Sequence, residues 1–171
     1  MDKKNRKIIR KFWHSHPPPG GNLLDIGGYN VNGVVRDCLD LKNHVPYSID
    51  LVKHEQVEVR ADAHYLPFAD ESFTSVWSTS TLQYLDNPFM VVAEMYRVLK
   101  PGGILYLEAV TQTSEGIIGP HWKYKDQDRW RFYPKGVRAL LTHAGFSEIL
   151  HCDPVRITDS TPDRVWGVAK K

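Results

Sequence analysis

The chain has 171 residues, 42% of them hydrophobic and 25% charged, with a formal net charge of +2. Length and composition suit one soluble globular domain with a sizeable core. The near-balance of charge gives no case for nucleic acid as the main partner. No apolar run approaches the roughly 18 residues of a membrane helix, so no membrane span is expected. Cys38 and Cys152 are too few for a disulfide framework, and the N-terminus lacks a signal-like apolar region. A cytoplasmic protein is the expectation.

Residues 1–16 are basic, with Lys3, Lys4, Arg6, Lys7, Arg10 and Lys11. Ile8, Ile9, Phe12 and Trp13 are spaced to share one side of a helix. Such a helix either offers a basic patch or packs its apolar side on the domain, and one short charge run favours packing. His14 and His16 have no third ligand at metal-site spacing, so no metal is expected. Pro17 to Gly21 ends the helix in a stiff link. The division is therefore 1–20 as N-terminal helix and link, and 21–171 as the main domain.

Leu23, Leu24 and Ile26 read as a short buried strand that stops at Gly27 and Gly28. Asn32 stands at an N-cap position before the apolar-periodic Val34, Val35, Cys38 and Leu39, which predicts a helix. Strand, glycine turn and helix is how open α/β sheets hold nucleotides. Asp50 closes the next apolar run, about 20 residues on, where a carboxylate usually grips a ribose. A dinucleotide site would want G-x-G-x-x-G, and Asn30 takes one of those glycine positions.

Only Leu51 to Gln56 separate Asp50 from the extended run Val57 to Ala61, too little for a full crossover helix. Asp62 and Ala63 follow. Phe73 to Ser78 reads as a central strand, with Ser78 to Thr81 at its carboxyl end. Asn87 caps and Pro88 opens a helix whose expected stripe is Phe89, Val92, Ala93, Tyr96 and Leu99. Lys100 to Gly103 turns the chain into a strand from Ile104 to Val110. Residues 111–132 are the least regular part, and a stretch of that length is often a lid or binding loop. Pro134 opens a further helix with Val137, Leu140, Leu141 and Ala144 buried and Gly145 as its stop. Phe146 to Cys152 and Val165 to Ala169 read as the last strands.

With LLDIGG, YSID, ADAHYLPFADESF, EMYRVLKPGG and LLTHAGF in this order, the sequence resembles class I S-adenosylmethionine-dependent methyltransferases of the type-11 domain family. The resemblance runs from about Leu23 to Phe146. Tyr29 and Val31 fill later glycine positions of the usual loop, which instead looks like a G-x-x-x-N-G-x-x-R variant ending at Arg36. The resemblance implies an α/β, Rossmann-like fold: a mostly parallel central sheet with an antiparallel last strand, flanked by helices. It implies S-adenosyl-L-methionine as cofactor. Asp25, Gly27 and Gly28 would shape its methionine and ribose side, with Asp50 on the ribose hydroxyls and Leu51 beside it. Asp62 with Ala63 would meet the adenine, and Ser78 would lie near the methionine amine.

Methyl transfer from a sulfonium needs acceptor and methyl held in line and water kept out. An alcohol acceptor also needs a base, and His121 in the irregular stretch is the first candidate. No N-P-P-[YF] follows the Phe73 strand and neither cysteine follows a proline, which argues against methylation of DNA bases. A small-molecule or sugar-type acceptor is the expectation, and the sequence leaves the oligomeric state open. Two rivals stand beside it: a non-catalytic S-adenosyl-nucleotide binder with a degenerate glycine loop, and a nicotinamide-dependent oxidoreductase.

Overall fold

The computed structural model describes residues 3–29, 35–111, 128–155 and 164–171. Helix α1 spans Lys3–Ser15, and strand β1 spans Gly21–Ile26, β2 His44–Asp50, β3 Val59–Arg60 and β4 Phe73–Thr79. Helix α2 spans Pro88–Val98, β5 Leu99–Val110, α3 Pro134–Ala144, β6 Glu148–Val155 and β7 Arg164–Lys170. The strands form one sheet in the order β3-β2-β1-β4-β5-β7-β6. All run parallel except β7, which lies antiparallel between β5 and β6. This is the expected sheet. Its order reverses between β1 and β4, and in open α/β sheets the crevice at such a reversal is where ligands sit.

The two faces of the sheet are covered unequally. On one, α2 and α3 pack Val92, Met95, Val137 and Leu141 against Leu24, Val76 and Leu107. On the other, Ile9, Phe12 and Trp13 of α1 cover Leu23, Trp77, Tyr106 and Trp166. Trp77 and Tyr106 stack there at 3.9 Å between ring centroids. The Tyr106 hydroxyl donates to the His16 carbonyl, and burial pushes its phenol well above the ordinary value. The basic run at the N-terminus thus belongs to a helix docked by its apolar side.

Three local expectations are corrected. Where a helix was expected after the glycine turn, the described residues form a single 3-10 turn, Val35–Cys38, and Asn32 lies outside the described residues. Helix α2 buries Pro88, Val91, Val92, Met95 and Val98, while Phe89 is exposed. The spacing is the expected one moved back by a residue, a rotation of about 100°. Asn87 does cap it, accepting the Met90 N–H at 3.1 Å. Lys100 to Gly103 lie within β5 and not before it. The pairing jumps from Phe73 with Leu99 to Ser75 with Ile104, so these residues bulge out, with Gly102 at φ +77°.

Two sequence segments meet through one cation. Arg97 donates to Glu94, to Asp70 and to the carbonyls of Leu66 and Phe68, while Glu94 accepts the Leu66 N–H at 2.9 Å. These bonds fasten the loop that follows Asp62 onto α2. Residues on that loop are thereby held near the carboxyl edge of the sheet.

Candidate functional site

The glycine turn leaves β1 with Gly27 at φ +79°, a conformation that suits glycine. The N–H groups of Gly27 and Gly28 both donate to the Ile49 carbonyl, at 3.0 and 3.1 Å. A Cβ on Gly27 would fall 2.1 Å from Thr81 Oγ1, and one on Gly28 would fall 2.6 Å from Ser48 Oγ. The space beside both glycines is filled by the protein's own side chains. Nesting of the turn between β2 and the segment after β4 therefore requires them before any ligand is considered.

Asp50 ends β2 beside this turn. Its Oδ2 accepts the Tyr29 N–H at 3.2 Å and its Oδ1 accepts the Val52 N–H at 2.9 Å. Leu51 next to it is 62% exposed. Ala61 N–H donates to the Asp50 carbonyl at 3.1 Å, which brings the Asp62 loop alongside. Ala63 is buried. The backbone N–H of His64, followed by its ring, holds the Asp62 carboxyl below its ordinary value.

Asp25 lies within β1, buried behind the turn. Burial pushes its pKa up to about 7, against an opposing pull from Arg36 and a hydrogen bond from the Val35 backbone. Arg36 meets both carboxylate oxygens of Glu58 at 2.7 Å and donates to Ser48 Oγ at 2.8 Å and the Gln56 carbonyl at 3.3 Å. Glu58 also accepts the Ser48 N–H at 2.7 Å. The guanidinium thus clamps the 3-10 turn to β2 and the short crossover. Arg36 closes the sequence variant noted above, and this clamp gives it a physical reason.

At the carboxyl end of β4, Ser78 is fully buried and its Oγ has no hydrogen-bond partner among the described residues. Ser80, at φ +52°, donates to Glu108 Oε2 at 2.9 Å. Glu108 is 0% exposed and meets Arg164 Nε at 2.5 Å. Gln83 Nε2 donates to the Ser80 carbonyl, while the Gln83 carbonyl takes the N–H groups of Arg129 and Trp130. The end of the irregular stretch is thereby tied to this edge. Sequence reasoning missed Glu108, Arg164 and the Glu58 partner of Arg36, and it placed Thr81 at the end of the strand without its contact to Gly27. A buried charge on a strand was the available signal for Glu108.

The structure brings Asp25, Gly27, Gly28, Asp50, Leu51, Asp62, Ala63 and Ser78 to one edge, around the reversal between β1 and β4. His121 lies outside the described residues. His143 is remote on α3, edge-on to Phe89 at 5.3 Å. Among the described residues there is no cluster of three potential metal ligands, and no helix is long and apolar enough to cross a membrane. A cleft of about 330 Å³ beside Pro17, Lys42 and His44 lies at the amino end of the strands, away from this edge.

A family model described as a methyltransferase domain matches residues 38–107. That stretch, 70 of the 171 residues, is similar to the methyltransferase-domain family. The methyltransferase GfsG of Streptomyces halstedii is 38% identical over 101 residues, covering 50% of this chain and 36% of that protein. A ubiquinone/menaquinone biosynthesis C-methyltransferase, UbiE of Desulfotalea psychrophila, is 44% identical over 59 residues, 34% of this chain and 24% of its own length. The aligned part thus spans well under half of either relative. Among solved structures, a Burkholderia thailandensis 1,6-didemethyltoxoflavin-N1-methyltransferase superposes with a TM-score of 0.74 at 18% identity, covering 99% of this chain and 79% of that one. At that identity the likeness concerns the fold.

The residues at the edge fit the cofactor of this methyltransferase family. Asp50 and Asp62 supply carboxylate acceptors, Leu51 an exposed apolar side chain, and the buried Ser78 hydroxyl lacks a partner among the described residues.

Proposed function

We propose that this domain transfers a methyl group from S-adenosyl-L-methionine to a small-molecule or sugar-type acceptor in the cytoplasm. The observation that carries the reading is the Asp50 carboxylate, set between the glycine turn and the Asp62 loop at the sheet's reversal. Asp50 accepts from the ribose hydroxyls and Leu51 covers one face of the adenine. Asp62 accepts from the adenine amino group, with Ala63 beside it. Ser78 faces the methionine amine. Gly27 and Gly28 present their backbone, and Asp25 braces the turn from beneath.

The bound cofactor supplies a methyl group already activated on a sulfonium. This chain's part is to orient it, exclude water and hold the acceptor in line. His121 is the proposed base when the acceptor is an alcohol. Turnover of labelled S-adenosylmethionine against a panel of small-molecule acceptors, for the native chain and His121→Ala, tests the reading. Calorimetry with S-adenosylhomocysteine and with NAD tests the cofactor, and tight NAD binding without an S-adenosylhomocysteine signal would overturn it.

One observation favours a second reading. Among the described residues a 3-10 turn, Val35–Cys38, follows the glycine turn where a full helix N-terminus would serve a bound ligand, and Tyr29 stands at a usual glycine position. A non-catalytic S-adenosyl-nucleotide binder would bind S-adenosylhomocysteine yet turn over no acceptor.

A further inference from the structure

His64 sits two residues beyond Asp62, its side chain 14% exposed against 46% for Asp62. Asp62 Oδ1 accepts the His64 N–H at 2.9 Å and lies 2.6 Å from His64 Nδ1. On the ring's far side, His64 Nε2 is 3.1 Å from the backbone nitrogen of Asn87. A backbone N–H can only donate, so Nε2 is the acceptor and carries no proton. The ring proton is therefore on Nδ1 and is donated to Asp62. Asn87 is in turn fixed, because its side chain caps α2. A chain of bonds thus runs from the end of a rigid helix, through one imidazole, to a single carboxylate oxygen.

Two donors occupy Asp62 Oδ1, and none of the described residues donates to Oδ2. The carboxylate plane is locked, with Oδ2 available as an acceptor only. An acceptor fixed in this way discriminates. It welcomes an exocyclic amino group and opposes a carbonyl oxygen at the same place, because the two oxygens repel and neither supplies a proton. An unlocked carboxylate would swing away from the carbonyl and lose that contrast.

We infer that His64 is a positioning residue which, by donating Nδ1–H to Asp62 while accepting from Asn87, makes the site select a 6-aminopurine over a 6-oxopurine nucleoside. The inference rests on the reading that this edge binds an adenosyl cofactor, and it adds the residue that sets base preference.

The test is calorimetry of S-adenosylhomocysteine and S-inosylhomocysteine with the native chain, His64→Ala and His64→Asn, with melting curves of each protein. The native chain should prefer the adenosyl ligand at least tenfold. In His64→Ala the preference should fall to within about threefold. Asparagine keeps a donor for Asp62 but gives up the ring contact with Asn87, so His64→Asn should retain most of it. An undiminished preference in folded His64→Ala overturns the inference and leaves the proposed function standing. A native chain that binds neither nucleoside overturns both. Nitrogen-15 spectra of the imidazole in the unliganded native chain give a readout that needs no variant: Nδ1 protonated and Nε2 bare supports the assignment, and the reverse overturns it.

Discussion

Gly27 and Thr81 are packed so closely that a single added methyl would overlap the threonine hydroxyl, its carbon 2.1 Å from Oγ1. Thr81 Oγ1 lies 3.2 Å from the Ile26 carbonyl and 3.1 Å from that of Thr79, so it joins the ends of β1 and β4. Gly27→Ala combines overpacking, about 1–3 kcal/mol, with a left-handed backbone that costs a side chain about 1–2 kcal/mol. The variant should lose stability on that scale in chemical denaturation. Adding Thr81→Ser keeps the hydroxyl but removes the methyl 2.8 Å from the added carbon, which frees the hydroxyl to rotate away, and should recover part of the overpacking but none of the backbone cost. Full recovery in the double variant would place all of the effect in the contact.

Asp50 serves the unliganded fold as well as the proposed ribose contact. Its two oxygens satisfy the N–H groups of Tyr29 and Val52, and hydrogen bonds to a charged group contribute about 1.5–3 kcal/mol each at most. Asp50→Ala should therefore lower the melting temperature of the free protein and also weaken S-adenosylhomocysteine binding ten- to a hundredfold, on the order expected for a lost charged bond. Asp50→Asn keeps one carbonyl acceptor and should recover more stability than affinity. Equal recovery of both by asparagine would remove the carboxylate from the ribose contact.

The middle of the sheet was legible because β1, β5 and β7 carry apolar runs and β4 is rich in aromatic and β-branched residues, with glycine, proline and acidic turns between them. Asn87-Pro88 and Gly145 announced the ends of α2 and α3 by local chemistry alone, and both ends are where the sequence put them. The phase of α2 was misread for a physical reason. Phe89 is apolar but exposed, and Met95, which is buried, is flanked by Glu94 and Tyr96. Two overlapping stripes fit the same letters, and only packing against the sheet chooses one. At the site, single residues such as Asp50 could be placed by spacing. Partnerships between segments distant in sequence could not, because Arg36 with Glu58, Glu108 with Arg164 and Thr81 with Gly27 exist only once the strands are ordered.

Arg36 should be irreplaceable by lysine. Its fork engages both oxygens of Glu58 and reaches Ser48 and Gln56 besides, a geometry that a single ammonium cannot match. Glu58 is partly exposed, so the pair itself is screened, and the part-buried bonds to Ser48 and Gln56 add to the effect. Arg36→Ala and Arg36→Lys should both destabilise the protein by about 1.5–3 kcal/mol in urea denaturation. Rescue by lysine to within about 0.5 kcal/mol would show that charge alone, and not the fork, holds the turn.

Asp25 should give the fold an unusual dependence on pH. Its folded pKa is pushed up from 3.8 to about 7, chiefly by burial. Between those values the folded state holds a proton that the unfolded chain has released. Stability from this group is therefore full below about pH 4 and falls as pH rises towards 7, the reverse of an ion-paired carboxylate. His44 and His151 oppose it over part of that range, since burial lowers both and charging them as pH falls costs stability. The difference between native and Asp25→Asn proteins isolates the aspartate. An asparagine stays neutral, so its stability relative to the native chain should rise between pH 4 and pH 7 and then level off. Urea midpoints at half-unit steps measure it, and a flat difference across that window would mean that Asp25 is ionised in the fold. Arg36→Ala, which removes the cation that pulls this pKa down, should carry the rise to higher pH.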